Sequence, residues 1–159
     1  MLNNLNHCSK DTVVDASSGF WQIPVAEEDK EKLAFCTTFG TYQWKVMPFG
    51  FTNAPSVFQR AINETLDDCL FQRCLVYIDD ICIFSKTFKQ HIENIKEVFD
   101  KLRKFNWKLK LSKCTFAQTK IEYLGHEISK DEIKVLDKNL EKLMNMQRPK
   151  NTKTLQAFL

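Results

Sequence analysis

The stretch Leu75-Val76-Tyr77-Ile78-Asp79-Asp80-Ile81-Cys82-Ile83-Phe84 places two adjacent carboxylates inside an apolar, β-branched and aromatic run. Such a run predicts two short strands, with the acidic pair at the turn or just beside it. Two ionised carboxylates side by side repel each other, and a buried strand environment raises the cost. A divalent cation relieves that repulsion, and hard oxygen ligands suit Mg²⁺ or Mn²⁺. A surface hairpin with an acidic turn is the simpler alternative, and these ten residues leave both open.

Upstream, Val13-Val14-Asp15 ends a second β-type run and leads into Ala16-Ser17-Ser18-Gly19-Phe20. Asp15 is therefore expected at a strand end, where the backbone is accessible. The small residues around Gly19 let main-chain amides approach an anion closely. A strand that merely closes in an Asp-Ser-Gly turn has the same spelling.

Tyr77-Ile78-Asp79-Asp80 resembles the Tyr-x-Asp-Asp box of reverse transcriptases. Its flanks, Leu75 to Ser85, resemble the long-terminal-repeat retrotransposon branch of the Ty3/gypsy type, within Pol polyproteins. The resemblance runs over nearly the whole chain in the family's order. It implies an α+β fold, the right-hand polymerase palm with part of the fingers and the start of the thumb, in which helices back a small antiparallel sheet. Residues 15–20 and 51–130 fall in the palm, about 1–14 and 21–50 at its border with the fingers, and 131–159 toward the thumb. The chain looks truncated inside the thumb.

The same resemblance implies an RNA-directed DNA polymerase that uses Mg²⁺, with Mn²⁺ as a substitute, on a template-primer of RNA or DNA and a dNTP. Asp15, Asp79 and Asp80 become the catalytic metal ligands. Ala16, Ser18, Gly19 and Phe20 would line the nucleotide site, with Phe20 as the gate against a ribose 2′-hydroxyl. Phe49 and Gly50 in Met47-Pro48-Phe49-Gly50 would contact the base and sugar; lentiviral relatives carry Gln at Phe49. Tyr123, Leu124 and Gly125 correspond to the primer grip. The chain would belong to a longer polyprotein with ribonuclease H and integrase, located in cytoplasmic particles or the nucleus. Asp11 departs from the aromatic or aliphatic residue usual in relatives, and Glu132, Val135, Leu136 and Gln147 depart in the tail. A catalytically silent, nucleic-acid-binding or structural remnant of a mobile element is the competing function.

Composition supports a globular domain. The 159 residues are 43% hydrophobic and 27% charged, with a net charge of +3 too small to argue for nucleic acid by itself. No apolar run approaches the roughly 18 residues of a membrane span. The six cysteines show no zinc spacing, lie mostly among core-type residues, and read as reduced thiols of an intracellular protein. His7, His91 and His126 have no ligand-spaced partner.

Charge is distributed more tellingly. Lys101, Arg103, Lys104, Lys108, Lys110, Lys113 and Lys120 have no acid among them and are interleaved with Phe105, Trp107 and Phe116. That pattern suits a phosphate backbone, with Lys108, Lys110 and Lys113 as the contacts, although a solvated face reads the same way. The acidic and basic run at 26–32 predicts a solvated turn.

The remaining segments are structural. Residues 33–46 read as two strands joined through Phe39-Gly40. A helix capped by Asn53 carries Val57, Phe58, Ala61, Ile62, Leu66, Cys69 and Leu70 on one face. Gln59 and Arg60, in a Phe-Gln-Arg run that resembles the family's, read as mostly structural. A second helix opens on the Thr87–Gln90 capping box, and Phe88, Ile92, Ile95, Val98, Phe99, Leu102 and Phe105 form its expected core stripe. Residues 121–128 predict a hairpin through Leu124-Gly125. Leu140, Leu143 and Met144 suggest a helix, broken at residues 148–152 before another carrying Leu155, Phe158 and Leu159.

Overall fold

The acidic hairpin forms where its β-branched residues demand it, at the middle of a chain whose other central strands come from distant segments. In chain order the strands are β1 (Lys10–Asp15), β2 (Phe35–Thr37), β3 (Gly40–Tyr42), β4 (Cys74–Tyr77), β5 (Asp80–Ser85), β6 (Thr115–Gln118), β7 (Lys120–Tyr123), β8 (His126–Ser129) and β9 (Ile133–Val135). The helices are α1 (Ala54–Leu66), α2 (Phe88–Lys104), α3 (Asp137–Met144) and α4 (Thr152–Phe158). This computed structural model describes residues 5, 8–145, 148 and 150–158. His7, Gln147, Pro149 and Leu159 lie outside the described residues, as do the side chains of Leu143 and Phe158.

Four strands form the central antiparallel sheet in the order β4-β5-β1-β6. Its register sets Asp15 opposite Asp80, Val14 opposite Ile81 and Val13 opposite Cys82. Side chains alternate across a strand, so each face of this sheet takes every second residue. Val14, Val76, Ile81 and Ile83 pack on one face with Phe58, Ile62 and Leu66 of α1 and Val98 and Leu102 of α2. Burying each large side chain here contributes about 1.5–3 kcal/mol. The other face, with Leu75, Cys82 and Phe84, meets Ile121, Tyr123 and Ile128 of a second sheet, β7-β8-β9. The expected α+β layering is present, and the hairpin expected at 121–128 gains a third strand, β9, to form the second sheet.

Several local expectations are corrected. α1 ends at Leu66, and a 3₁₀ turn over Asp67–Cys69 carries the apolar face onward to buried Cys69. Asn53 makes no side-chain cap; instead its carbonyl accepts from Ser56 Oγ. On α2, Phe88 (58% exposed), Ile92 (51%) and Phe105 face solvent, while His91 and Asn94 are buried with Val98 and Leu102. The cause is polar: the sheet presents Thr12, Ser85 and the Phe84 carbonyl to this helix, and only hydrogen-bonding side chains satisfy them. The Thr87 cap does form, its Oγ1 accepting from Gln90 N–H at 3.3 Å. The strand expected to end at Asp15 begins at Lys10, and β6, which pairs with β1, and β9, which extends the last sheet, were not legible as strands.

Other expectations hold. The 26–32 run forms two exposed 3₁₀ turns, and β2 and β3 pair as a short hairpin with Phe39 at its tip. Leu124 (φ 49°) and Gly125 (φ 77°) make the left-handed turn between β7 and β8, the conformation that two-residue hairpin loops require. No disulfide forms among the described residues. Burial pushes the Cys8 thiol up to about 11 and that of Cys74 up to about 12, which keeps both protonated and inert. Among the described residues, no helix is long and apolar enough to cross a membrane.

Candidate active site

Asp15 is the last residue of β1 and Asp80 the first of β5, so their direct pairing brings two carboxylates together at one end of the sheet. Asp79 lies in the β4–β5 turn, and its carbonyl accepts from Ala16 N–H at 2.9 Å. Asp15 and Asp79 line one cavity of about 350 Å³ with Ala16, Ser17, Ser18, Gly19, Phe20, Phe49, Ile78, Lys110 and Lys113. Asp80 does not line it, but Asp79 and Asp15 lie close enough to act on its carboxyl. Its carboxyl is held above the usual range, first by burial and then by Asp79 and Asp15, against a smaller opposing effect of Lys113.

The turn that carries Asp79 is strained. Ile78 has φ 53°, a conformation rarely adopted by a β-branched residue. Its N–H donates to Gln59 Oε1 at 2.7 Å, and Gln59 Nε2 donates to the Val76 carbonyl at 3.3 Å and to Asn63 Oδ1 at 2.8 Å. One amide from α1 thus holds both sides of the turn. Its Phe-Gln-Arg context in the sequence carried no signal for that role.

A second strained residue, Ser18 (φ 50°), precedes the 3₁₀ turn Gly19–Gln22, whose first backbone N–H groups have no partner inside the turn. Gly19 is required for a different reason from the anion approach expected of it. A Cβ there would meet the Phe58 ring at 2.7 Å. Phe20 stands edge-on to Phe49 (5.3 Å between centroids) and to Phe58 (5.5 Å), while Trp21 also meets Phe49 at 5.5 Å. These rings make an aromatic wall beside the carboxylates. Gly50 (φ +87°) is exposed in the turn after Phe49 and does not line the cavity.

Behind β1 the chain pairs with residues 108–110. Ser17 N–H donates to the Lys108 carbonyl and Lys110 N–H to the Asp15 carbonyl, each at 2.9 Å. This brings Lys110 and Lys113 to the cavity, and Lys113 Nζ pairs with Asp15 Oδ2 at 2.9 Å. Lys108 Nζ instead donates to Asn106 Oδ1, outside the cavity lining.

The β7–β8 turn is placed differently from the sequence expectation. Tyr123 is 3% exposed, packed between the sheets with its hydroxyl 3.5 Å from the Asp80 carbonyl, so its ring supports the hairpin from beneath and offers no surface for a primer. Burial raises its phenol above the ordinary range. Leu124 and Gly125 are half-buried at the tip, and Gly125 O accepts from Leu136 N–H and Asn139 Nδ2.

The donor set at the hairpin consists of hard carboxylate oxygens, which fits a divalent metal, whereas Lys113 occupies Asp15 Oδ2. As they stand, no three ligands close around one point among the described residues.

Comparison with known proteins agrees with this geometry. Residues 1–128 match the family model described as reverse transcriptase (RNA-dependent DNA polymerase). The chain is 40% identical over 159 residues to the retrovirus-related Pol polyprotein from transposon 297 of Drosophila melanogaster, covering all of this chain and 15% of that protein. It is 34% identical over 148 residues to the transposon Tf2-3 polyprotein of Schizosaccharomyces pombe, covering 93% of this chain and 11% of the relative. Among solved structures, the foamy viral protease-reverse transcriptase in complex with double-stranded DNA superposes with TM-score 0.86 at 26% identity, over 98% of this chain and 27% of that one. The chain therefore spans a small part of its relatives' length. Over the part that it spans, it belongs to the reverse transcriptase family, on the branch of retrotransposon Pol polyproteins.

Proposed function

We propose that this chain is the catalytic core of an RNA-directed DNA polymerase, joining a dNTP to the 3′-hydroxyl of a primer on an RNA or DNA template. The observation that carries this reading is the pairing of Asp15 with Asp80, with Asp79 on the wall of the same cavity. The 3′-oxygen forms a bond to the α-phosphorus while the bond to the β-phosphate oxygen breaks and pyrophosphate leaves. Asp15 and Asp79 would hold Mg²⁺ or Mn²⁺, with Asp80 more peripheral. When bound, these ions lower the pKa of the hydroxyl and neutralise phosphate charge.

The chain's own groups account for the remaining requirements. Backbone N–H groups of Ser18 and Gly19, beside buried Ala16, suit the triphosphate oxygens. Phe20, on the aromatic wall, would exclude a ribose 2′-hydroxyl, and Phe49 would meet the base and sugar, with Gly50 in the turn outside the cavity lining. Lys110 and Lys113 at the cavity and Lys108 beside it suit phosphates of the template-primer. Leu124 and Gly125 remain the candidate primer contacts, with Tyr123 acting through packing. A longer Pol polypeptide with ribonuclease H and integrase would supply the rest of the machine.

The test is Mg²⁺-dependent dTTP incorporation on poly(rA)/oligo(dT). It is run with this chain and with the chain joined to the fingers and thumb segments of a longer Pol polypeptide, each beside Asp79→Asn. Losing a bridging carboxylate costs several kcal/mol of transition-state stabilisation, so synthesis by the longer polypeptide should vanish in the variant. Near-normal extension by Asp79→Asn sinks the assignment. A second reading, a silent nucleic-acid-binding remnant, is favoured by the closure of Lys113 on Asp15. RNA binding without metal-dependent extension in either polypeptide would establish it.

A further inference from the structure

Gln22 lies in the turn after Asp15, and its side-chain amide makes three hydrogen bonds. Nε2 donates to the Ser17 carbonyl at 2.7 Å and to the Lys108 carbonyl at 3.0 Å. Oε1 accepts from Lys108 N–H at 2.7 Å. Those partners lie 5 and 86 residues away in sequence.

The backbone ladder between the two segments ends at this point. It runs from Lys110 N–H on the Asp15 carbonyl, through the Ala16–Leu109 bridge, to Ser17 N–H on the Lys108 carbonyl. From there the chain leaves the ladder into the strained Ser18 and the 3₁₀ turn. Gln22 supplies the next rung from a side chain, offering one acceptor and one donor as a peptide group would.

The two segments lie side by side and both line the cavity, Ser17 to Phe20 from one and Lys110 and Lys113 from the arm that continues the other. We infer that Gln22 is a positioning residue for nucleotide binding, fixing the basic 108–113 arm against the 17–20 turn so that both meet the triphosphate together. The inference rests on the polymerase reading above. Gln22 touches no substrate in this role and acts through the spacing of the two segments.

The experiment compares wild type with Gln22→Met, which keeps the length and removes both hydrogen-bonding functions, in the longer polypeptide. Weakening contacts to the triphosphate that are made alike in the ground and transition states raises KM and leaves kcat unchanged. The expected result is a rise of about 10- to 100-fold in KM for dTTP, with kcat and template-primer affinity within about twofold of wild type. Equal losses in KM, kcat and template-primer affinity, or no change in any, overturn the role. Wild-type synthesis with an unaltered KM in Gln22→Met overturns this inference alone, whereas absence of synthesis in the wild type overturns the polymerase reading and this inference with it. A measurement on unmodified protein keeps the inference falsifiable if the variant does not fold. The Lys108 amide should exchange with solvent as slowly as that of Ser17, and free exchange at Lys108 overturns the clamp.

Discussion

Lys113 Nζ lies 2.9 Å from Asp15 Oδ2, an ion pair between the last residue of a central strand and a 3₁₀ turn 98 residues away. Asp15 is largely buried and the lysine half-exposed, so the ammonium caps the carboxylate from the solvent side. The hydrogen bond to Asp15 is the main cause of the raised Lys113 pKa, so the pair persists throughout the neutral range.

A divalent cation entering at Asp15 must displace that ammonium. Lys113→Met therefore removes a competitor and should tighten Mn²⁺ binding by up to about fivefold, the small effect expected of a solvent-screened ion pair. Mn²⁺ titration followed by electron paramagnetic resonance reads this directly. Weaker Mn²⁺ binding in the variant would show that the lysine organises the site instead of blocking it.

Gln59 bears on the hairpin from the other side. Gln59→Leu leaves Ile78 N–H and the Val76 carbonyl without that amide, and a stranded buried group costs about 1–3 kcal/mol. Urea denaturation should show a loss of that size. Synthesis should fall by at least tenfold, because the strained Ile78 turn aims Asp79. Unchanged stability would mean that water replaces the amide at no cost.

His91 links three elements through two hydroxyls. Its Nε2 meets Thr12 Oγ1 at 2.8 Å and its Nδ1 meets Ser85 Oγ at 2.9 Å, while Thr12 Oγ1 also accepts from Ala117 N–H. A neutral imidazole satisfies this chain, donating from Nδ1 and accepting from Thr12 at Nε2. Burial, and then Lys10, lower its pKa. The stability it contributes is thus present above the unfolded value near 6.5 and is lost as pH falls through the lower folded value. Wild type should lose stability on acidification below about pH 6.5, and His91→Gln should flatten that part of the profile. Parallel profiles would remove His91 as the cause.

Asp11 gives the opposite slope. It is 1% exposed, Oδ1 has no hydrogen-bond partner among the described residues, and burial pushes its carboxyl up to about 6. A folded value above the unfolded one, near 3.9, favours folding when the proton is bound. That contribution is complete below about pH 4 and lost as pH rises through about 6, amounting to roughly 2–3 kcal/mol by neutrality. Asp11→Asn should gain stability relative to wild type between pH 4.5 and 7.5 in paired urea titrations. A difference that does not change with pH would show that Asp11 does not titrate in this range.

The sequence by itself determined the two strands around Tyr77-Ile78-Asp79-Asp80, the strand end at Asp15, the α1 and α2 segments and the Leu124-Gly125 turn. Each depends on local propensity: β-branched runs, helical spacing, a Thr cap, a glycine at positive φ. Tertiary structure alone decided what those elements do to one another. Phe88 and Ile92 have the spelling of a core stripe, yet they face solvent because the sheet offers α2 hydroxyls and a carbonyl that only His91 and Asn94 can satisfy. Tyr123 reads as a surface contact and lies buried because the sheet that carries it packs on the central sheet. Lys113 on Asp15, Gln59 on Ile78 and Gln22 on Lys108 are pairings between groups 98, 19 and 86 residues apart. Local sequence sets which conformations a segment prefers, but the partner of a buried polar group is chosen by whichever distant segment the fold brings within about 3 Å.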